Sequence, residues 1–317
     1  MNVCLRGKRC AKVLIICLLL SLILTVWISL QLSPIITSLS VNTSDCECHP
    51  NEDNAHHKAK DMSSTETSSH RLAVVVPFRD RFDELLTFVP HMKTFLKKQG
   101  IDYKIYIINQ MDVYRFNRAS LINAGFLISR PECDYMAMHD VDLLPLNANL
   151  SYHFPTDGPF HVSSPQLHPK YHYKTFVGGV LLIRGEHFEK VNGMSNNYWG
   201  WGLEDDEFYV RLKEANLFIS RPQGITTGIN DTFRHIHSTH RKRDTIRLFN
   251  QKEITRKRDR KTGLNSVQFR LKSVNEVMID RSAVSVYNVQ LICDLSLTPW
   301  CQTRQTIASK GPKAANS

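Results

Sequence analysis

Four carboxylates in a row, Glu204 to Glu207, follow a segment in which two tryptophans alternate with two glycines, Trp199 to Gly202. The glycines allow backbone conformations that a side chain would exclude. The indole of Trp201 has a flat apolar face that can stack on a sugar ring. A carboxylate can accept hydrogen bonds from the sugar hydroxyls and act as a general base on one of them. The pattern therefore indicates a carbohydrate site with acid–base chemistry.

The same stretch has a purely structural interpretation, an acidic helix start after a buried aromatic turn. Apolar residues recur at helical spacing after Glu204, and acidic residues suit the first turn of a helix because of its dipole. We expect a helix that begins at Glu204, a preceding loop that exposes Trp201, and carboxylates that stay ionised at mildly acidic pH. The paired tryptophans and glycines favour the functional interpretation, because a helix start alone does not require them.

A second group of carboxylates and imidazoles has the spacing of metal ligands. Asp140 and Asp142 follow an apolar run and are separated by one residue, so both can face the same site on an extended chain. His235 and His237 have the same spacing, and mixed oxygen and nitrogen ligands suit manganese better than calcium. The alternative is a pair of surface histidines. We predict a Mn²⁺ site formed by Asp142, His235 and His237, with room for a diphosphate.

Aromatic and arginine residues follow the first apolar run and recur near position 116. Phe78, Arg79 and Arg81 form the first set, and Phe116 and Arg118 form the second. Aromatic faces and guanidinium groups suit a uridine and its phosphates, although surface arginines are common without a ligand. The basic segment 241–261 follows the histidines and is sparse in apolar residues. It is either solvated surface or a mobile lid over the donor, spanning about 238–261.

The elements that must position these residues alternate along the chain. The order strand, helix, strand, helix, strand predicts an α/β sheet with its ligand site at the carboxyl ends of the strands. The predicted strands are Leu72–Phe78, Lys104–Asn109, Tyr135–His139 and Phe176–Ile183, with a strand-rich region over Glu276–Cys293. The predicted helices are Asp83–Lys98, with Pro90 as a kink, and Phe116–Ser129.

The N-terminus has the pattern of a membrane anchor. Basic residues in positions 1–12 precede the uncharged run 13–32, which is long enough to span a bilayer as a helix. A cleaved signal peptide is the alternative, but the run is long for one and no small-residue cleavage site stands out. Residues 33–69 are polar and predict a flexible stem, 70–308 the globular domain, and 309–317 a tail. The domain would face the secretory lumen.

Glycosylation signals and cysteines agree with a luminal domain. Sequons start at Asn42, Asn149 and Asn230. Cys293 and Cys301 are close in sequence in a compartment that permits disulfides, and we expect them to pair. Zinc is not expected, because the chain has no Cys-x-x-Cys pairs. The formal net charge of +10 suits anionic partners such as nucleotide-sugars or acidic glycans rather than nucleic acid.

Five motifs, in order, resemble the β-1,4-galactosyltransferase family over about Arg71 to Cys301. They are Pro77–Arg81, Phe116–Ala119, Asp140–Asp142, Phe176–Val180 and Trp199–Asp206. The resemblance implies a GT-A fold, a UDP-sugar donor, Mn²⁺ and inversion at the anomeric carbon. Leu203, the His235-Ile236-His237 pair and the ending Thr298 to Cys301 are most similar to family members with a xylose acceptor. The implied reaction moves galactose from UDP-galactose to O4 of β-xylose on proteoglycan core proteins in the Golgi.

The resemblance also implies residue roles. Asp205 would be the general base, Asp206 would hold acceptor hydroxyls, and Glu204 would contact the donor galactose. Spacing alone does not choose between Asp205 and Asp206. The other implied acceptor contacts are Tyr171, Tyr173, Trp201 and Leu203, and the implied donor contacts are Phe78, Arg79, Arg81, Phe116, Arg118, Asp140, Val141 and Trp201.

Three alternatives remain open at this point. One is a transferase of the same fold with an acceptor that ends in N-acetylglucosamine or glucuronate. Another is a luminal carbohydrate-binding protein without turnover, which the intact acidic and histidine sets disfavour. The third is a hydrolase of nucleotide-sugars. A panel of acceptors distinguishes the three.

Overall fold

Strand β1, Arg71–Phe78, lies at the centre of a seven-stranded sheet, because its apolar sequence suits burial on both faces. The computed structural model describes residues 70–237 and 241–308. Strands β2, Asp102–Gln110, and β3, Tyr135–His139, flank β1, and both pair with it in parallel. The carboxyl ends of these three strands therefore meet at one edge of the sheet, where a ligand site is expected.

Two helices cover the faces of this sheet, α1 (Phe82–Lys98) and α2 (Arg118–Ser129). Alternate residues of β1 point to opposite faces, so Val74 packs in one core with residues of α1 and Val75 packs in another with residues of α2. The side chain of Asn117 caps α2 by accepting a hydrogen bond from the backbone of Ser120. The layers place the start of α2 beside the carboxyl ends of the strands.

Twelve further elements complete the described part of the chain. They are β4 (Leu143–Pro145), β5 (Phe160–His161), β6 (Val180–Arg184), α3 (Gly185–Lys190), α4 (Glu204–Glu214), α5 (Ile229–Thr232), β7 (Phe233–His235), α6 (Gln251–Ile254), β8 (Phe269–Ile279), β9 (Ser282–Leu291), the 3₁₀ turn Pro299–Cys301 and α7 (Arg304–Ala308). The order of strands in the sheet is β5-β6-β3-β1-β2-β9-β8, and β4 pairs with β7 in a separate ribbon. The centre of the sheet is parallel, while β5, β6 and β8 join it antiparallel.

The predicted α/β architecture is confirmed, with two local corrections. The predicted strand over 176–183 is wrong in its first half, because β6 begins only at Val180 after Gly179 takes a left-handed backbone conformation with φ of 76°. The predicted helix from Phe116 begins at Arg118, since Asn117 is its cap. The strand-rich end is a long antiparallel hairpin of β8 and β9.

Several predictions concern the surface and the ends of the chain. Asn149 and Asn230 are exposed, as glycosylation requires, and a disulfide joins Cys293 to Cys301. Among residues 70–237 and 241–308, no helix is long and apolar enough to cross a membrane. The predicted anchor at 13–32, the stem, Asn42 and the tail lie outside the described residues.

Candidate active site

A cleft with a volume of about 460 Å³ lies at the carboxyl ends of β1 and β3 and is closed on one side by the start of α4. The structure brings nearly all predicted site residues to its wall. Those of the predicted donor and metal sites are Arg79, Arg81, Phe116, Arg118, Asp140, Val141, Asp142, His235 and His237. Those of the predicted acceptor site and acidic helix start are Tyr171, Tyr173, Trp201, Leu203, Glu204, Asp205 and Asp206.

Phe78 is the exception among the predicted donor residues. Its side chain is buried in the core on the α1 face of the sheet, while its neighbour Pro77 lines the cleft. Successive residues of a strand point to opposite sides, so Phe78 and Pro77 cannot both face the ligand. The structure therefore does not bring the Phe78 side chain to the cleft wall, and its role at the donor site stays a prediction.

The loop before α4 turns back on itself through three left-handed residues. Gly200, Leu203 and Gly202 have φ angles of 86°, 79° and 97°. A side chain at Gly200 would collide with the guanidinium of Arg115, which lies 2.0 Å from the position a Cβ would occupy. The prediction that the glycines serve backbone conformation is confirmed. Trp201 is 43% exposed at the rim of the cleft, as expected.

Arg118 connects the predicted general base to the sheet. Its Nε donates to Asp140 Oδ1 at 2.8 Å and its Nη1 donates to Asp205 Oδ1 at 2.9 Å. The other oxygen of Asp205 lies 2.4 Å from where a Cβ of Gly178 would be, so this carboxylate packs directly against a bare backbone. Arg118 thus fixes one oxygen of Asp205, and the glycine leaves room for the other.

Burial changes the protonation of the acidic helix start. It raises the pKa of Glu204 to about 8, with the negative charge of Asp205 adding to the shift and Arg118 opposing it. Burial also raises the pKa of Asp205, and the Arg118 guanidinium opposes that rise. Desolvation thus acts on both pKa values in the direction opposite to the helix N-terminus, and the expectation that Asp205 stays deprotonated at mildly acidic pH remains a prediction. A raised pKa makes Asp205 a stronger base when ionised.

Aromatic rings form the wall opposite the acidic helix. The rings of Tyr171 and Tyr173 lie 5.1 and 5.5 Å from that of Phe176. The guanidinium carbon of Arg243 lies 5.0 Å from the centre of the Trp201 ring and 5.6 Å from that of Tyr171. A sugar can stack on Trp201 and Tyr173, which are both partly exposed, while its hydroxyls reach Asp206.

The candidate metal ligands converge because β4 pairs with β7. The pairing sets Leu143 opposite His235, and the backbone of Ile236 donates to the carbonyl oxygen of Asp142. One ligand atom from each of Asp142, His235 and His237 lies within 4.8 Å of the others. Burial lowers the pKa of His235, which favours the neutral, ligating form. One carboxylate and two imidazoles fit Mn²⁺ and leave positions for a diphosphate.

The predicted donor arginines have distinct surroundings. Arg79 donates to the backbone oxygens of Gln110, Asp112 and Tyr114, and its guanidinium lies 5.8 Å from the centre of the Phe116 ring. The N–H groups of Arg79 are thus largely occupied by backbone oxygens. The side chain shapes the cleft wall and leaves few N–H groups for a phosphate. Arg118 instead keeps Nη2 buried without a partner among the described residues. That nitrogen is free to bind a phosphate oxygen.

The basic segment 241–261 packs against the cleft in this structure. Arg115 lies beneath it, only 4% exposed, and donates to both carboxylate oxygens of Asp244 at 2.6 and 3.0 Å. The backbone of Trp201 donates to the carbonyl oxygen of Asp244, and the side chain of Arg247 donates to that of Trp201. The segment therefore touches the predicted sugar-stacking residue directly, as a lid would.

Sequence reasoning missed several residues of the cleft. Lys242, Arg243, Asp244 and Arg247 line it, as do His168 and Phe176. The basic segment was predicted as either solvated surface or a lid over the donor, but none of its residues was singled out, because a charged segment without apolar spacing resembles solvated surface. Arg115 stood next to the predicted Phe116 motif, but nothing in its own position indicated five hydrogen bonds across the fold.

Two family models match the chain. The model described as the N-terminal region of glycosyl transferase group 7 matches residues 34–155, and the model described as the N-terminal domain of galactosyltransferase matches residues 158–237. Together they cover β1, β3 and the cleft-lining residues up to His237, but not those in 242–247.

Curated proteins and solved structures are similar over most of the globular domain. β-1,4-Galactosyltransferase 7 of Drosophila melanogaster is 59% identical over 244 residues, 76% of each chain. The Homo sapiens protein of the same name is 57% identical over 73% of this chain and 71% of its own, and the xylosylprotein 4-β-galactosyltransferase of Caenorhabditis elegans is 49% identical over 77% and 86%. A crystal structure of the Drosophila catalytic domain with xylobiose has a TM-score of 0.73 at 60% identity, covering 74% of this chain and 99% of that one. A mutant of the same protein, solved with manganese, UDP-Gal and xylobiose, has a TM-score of 0.72.

Proposed function

The chain belongs to the β-1,4-galactosyltransferase family, and from this we propose that it transfers galactose from UDP-galactose to O4 of a β-xylose on proteoglycan core proteins. The product is part of the linkage region of glycosaminoglycans. One observation carries the proposal: Asp205, held by Arg118, lies in the same cleft as the Asp142, His235 and His237 cluster. A base and a diphosphate site in one cleft suit glycosyl transfer to a hydroxyl.

Asp205 acts as the general base. Its carboxylate takes the proton from the xylose O4, which attacks C1 of galactose from the face opposite the UDP. A bond forms between O4 and C1, the bond from C1 to the phosphate oxygen breaks, and the configuration at C1 inverts. Arg118 holds Asp205 Oδ1, so the side chain keeps one orientation during the proton transfer.

The departing diphosphate carries developing negative charge. Asp142, His235 and His237 would hold Mn²⁺, which neutralises that charge when bound. The unpartnered Nη2 of Arg118 lies in the same wall and adds a hydrogen-bond donor from the protein itself. Arg118 thereby connects the two ends of the reaction, the base and the leaving group.

Leu203 and the aromatic wall select the acceptor. Leu203 is 39% exposed at the cleft, where a glycine would leave more space. Xylose lacks the hydroxymethyl group of hexoses, so a narrowed pocket accepts xylose and excludes larger rings. Trp201 and Tyr173 provide flat apolar surfaces for the ring, and Asp206 accepts hydrogen bonds from its hydroxyls.

We place the enzyme in the Golgi membrane as a single-pass type II protein with a luminal catalytic domain. The uncharged run 13–32 after basic residues supports an anchor with its N-terminus in the cytoplasm. The exposed sequons at Asn149 and Asn230 and the disulfide support a luminal domain.

Galactose transfer from labelled UDP-galactose with Mn²⁺ tests the proposal. Wild type should galactosylate an aryl β-xyloside but not an aryl β-N-acetylglucosaminide. Asp205→Asn should lower kcat by at least about 10²-fold, consistent with loss of a general base. Asp206→Asn, a matched loss of one charge on the next residue, should mainly raise the KM for the xyloside. Transfer to the glucosaminide would overturn the acceptor assignment. Binding of UDP without transfer to either acceptor would favour a carbohydrate-binding protein.

A further inference from the structure

A second, smaller cavity lies beside the acceptor end of the cleft and takes no part in the proposed reaction. Its volume is about 180 Å³, and its wall includes Asn197, Tyr198, Lys257 and Arg258. Arg258 connects it to the cleft, because its Nη1 donates to the backbone oxygen of Asp206 at 3.4 Å. We name Lys257 and Arg258 the basic rim. Any group bound there lies next to the bound acceptor sugar.

The positive charge around the basic rim is only partly neutralised: Nη1 of Arg258 lies 3.6 Å from Oε2 of Glu207, a carboxylate that also pairs with Arg211, and the acids of the rim's own segment bind elsewhere. Asp244 binds Arg115, and Asp259 accepts hydrogen bonds from Ser195, Asn197 and Thr262. Within the described residues, Lys257 and its exposed neighbours Lys252, Arg256 and Lys261 form no ion pair. The surface therefore presents several free cations to solvent at the mouth of the cleft, and an anionic partner is the complement of that charge.

The same segment exposes apolar side chains between its charges. Phe249 is 59% exposed and has a left-handed backbone with φ of 54°, which is unusual for an aromatic residue. Ile246 is also exposed, and both flank Arg247, which contacts the backbone of Trp201. A surface that alternates aromatic, aliphatic and basic groups suits a polypeptide better than a small anion.

The direction of the acceptor places a polypeptide on this surface. C1 and C4 lie on opposite sides of a xylopyranose ring, so when O4 meets Asp205 the linkage at C1 points away from it. We expect the acceptor chain to leave the cleft past Trp201 and Asp206, because both line it and both are at least partly exposed. The basic rim lies on that side, since Arg258 contacts the backbone of Asp206.

We propose that the basic rim binds acidic side chains of the acceptor polypeptide close to the xylosylated serine, with Lys257 and Arg258 facing a carboxylate at the small cavity. This inference rests on the proposed function, because it takes the acceptor to be a xylosylated protein. The rim then discriminates among protein acceptors, while the cleft recognises only the sugar. Exposed charge pairs are individually weak and screened by salt, so the preference should be about three- to tenfold and decline with ionic strength.

Two xylosylated peptides of equal length test this, one with glutamates flanking the serine and one with glutamines in their place. Wild type should have a three- to tenfold lower KM for the acidic peptide at low salt, with similar kcat. Lys257→Gln with Arg258→Gln should abolish this preference. The control, Lys97→Gln with Lys98→Gln, removes the same charge from exposed positions of α1. It should retain the preference for the acidic peptide. For each variant, the rate with a peptide is divided by the rate of the same variant with an aryl β-xyloside, which has no peptide.

Equal KM values of wild type for both peptides would overturn the proposal, as would a preference that survives in the Lys257 and Arg258 variant. Vesicles with and without anionic phospholipid form a second arm. Loss of vesicle binding in the variant with an unchanged peptide preference would assign the surface to a membrane instead. Failure of wild type to galactosylate the aryl xyloside would contradict the proposed function itself. This outcome is measured independently of the ratio of KM values for the two peptides.

Discussion

At the residue scale, four adjacent carboxylates of α4 have four different environments. Glu204 is buried and has one oxygen without a partner among the described residues, whereas Asp205 binds Arg118. Asp206 is partly exposed at the acceptor side, and Glu207 is buried in a pair with Arg211. Burial together with the partners Arg118 and Arg211 thus separates a buried acid, the proposed base, the proposed ligand contact and a structural ion pair within one helical turn.

The buried Glu204 should make stability depend on pH. Its folded pKa of about 8 lies above the ordinary value of 4.5, so the folded state binds a proton that the unfolded state releases between these values. The stabilisation that protonated Glu204 contributes is then fully present below about pH 4.5 and is lost as the pH rises toward 8. We expect the melting temperature of the ligand-free domain to fall between pH 5.5 and 8 by roughly 2–8 °C more than that of Glu204→Gln. Glu253→Gln, at an exposed position, should behave as wild type, and parallel curves for all three would contradict the prediction.

Leu203 combines strain with selectivity. A left-handed backbone costs a residue with a side chain about 1–2 kcal/mol, and Leu203 has φ of 79°. Leu203→Gly should therefore stabilise the fold by about 1 kcal/mol and also relax the choice of acceptor. Transfer to an aryl glucosaminide, relative to the xyloside, should rise at least about tenfold. Asn216→Gly also relieves a left-handed residue, with φ of 54°, but after the end of α4. It should leave selectivity unchanged, and unchanged selectivity in Leu203→Gly would refute the steric role.

The predictability of single residues depended on local spacing. Asp142, His235 and His237 were predictable because alternate residues of extended chain share a side, and the structure brings them together. Arg115 was not, because its partners Asp244 and Trp300 are distant in sequence. The burial of Phe78 was not predictable, because a motif shows which residues are near a ligand but not which way each side chain points.

At the element scale, one arginine joins three segments around the cleft. Arg115 binds Asp244 of the basic segment, packs against Gly200 of the tryptophan loop, and donates to the backbone oxygen of Trp300 beside the disulfide. A second contact, from Arg241 to the buried Glu84 of α1, fixes the start of the segment. The position of the segment is therefore set by two charge pairs, each with one buried member, together with the packing of Leu248 and Ile254 on the core.

Asp244→Asn should weaken closure of the segment without unfolding the domain. Arg115 keeps its bonds to Gln251, Ile246 and Trp300 but loses its charged partner, so we expect a loss of about 1–2 kcal/mol in stability and about a tenfold lower kcat/KM. Limited proteolysis within 241–261 should be suppressed by UDP and Mn²⁺ in wild type but much less in the variant. Arg211→Lys, which disturbs the buried pair with Glu207 and contacts to 259 and 262, is the control.

That control should lose stability while ligands still protect the segment from protease. Equal protease sensitivity of wild type with and without UDP and Mn²⁺ would contradict the idea that the segment closes on the donor. If kcat/KM is unchanged in Asp244→Asn, the ion pair between Arg115 and Asp244 does not contribute to closure of the segment.

The elements themselves were predictable in proportion to their burial. Strands β1 and β3 are apolar along their length because both faces are covered, so their bounds were predicted to within one residue. Strand β8 is exposed over most of its eleven residues and carries no alternating pattern, which explains why only its end was predicted. The predicted strand over 176–183 was wrong near Gly178, where the Asp205 carboxylate occupies the space that a side chain would need. That contact has no sequence signature.

At the scale of the whole molecule, the described residues contain two hydrophobic cores. Both cores lie between Leu72 and Cys301, one on each face of the sheet. The backbone nitrogen of Arg71 donates to Asp134, so the first strand is fixed at its start. Membrane attachment and catalysis should therefore be separable functions of this chain.

Replacing residues 1–69 with a cleavable secretion signal tests that separation. The secreted protein should have the same kcat/KM for an aryl xyloside as the detergent-solubilised full chain. If the uncharged run 13–32 is the proposed anchor, the full chain should stay in the membrane fraction after carbonate extraction, because a run of that length can span the bilayer as a helix. Leu20→Arg with Leu24→Arg places two charges in that run at about 2.5–3.5 kcal/mol each and should release the protein from the membrane. Secretion of the unmodified full chain would show that the run is a cleaved signal peptide, since the two interpretations differ in whether the segment stays attached.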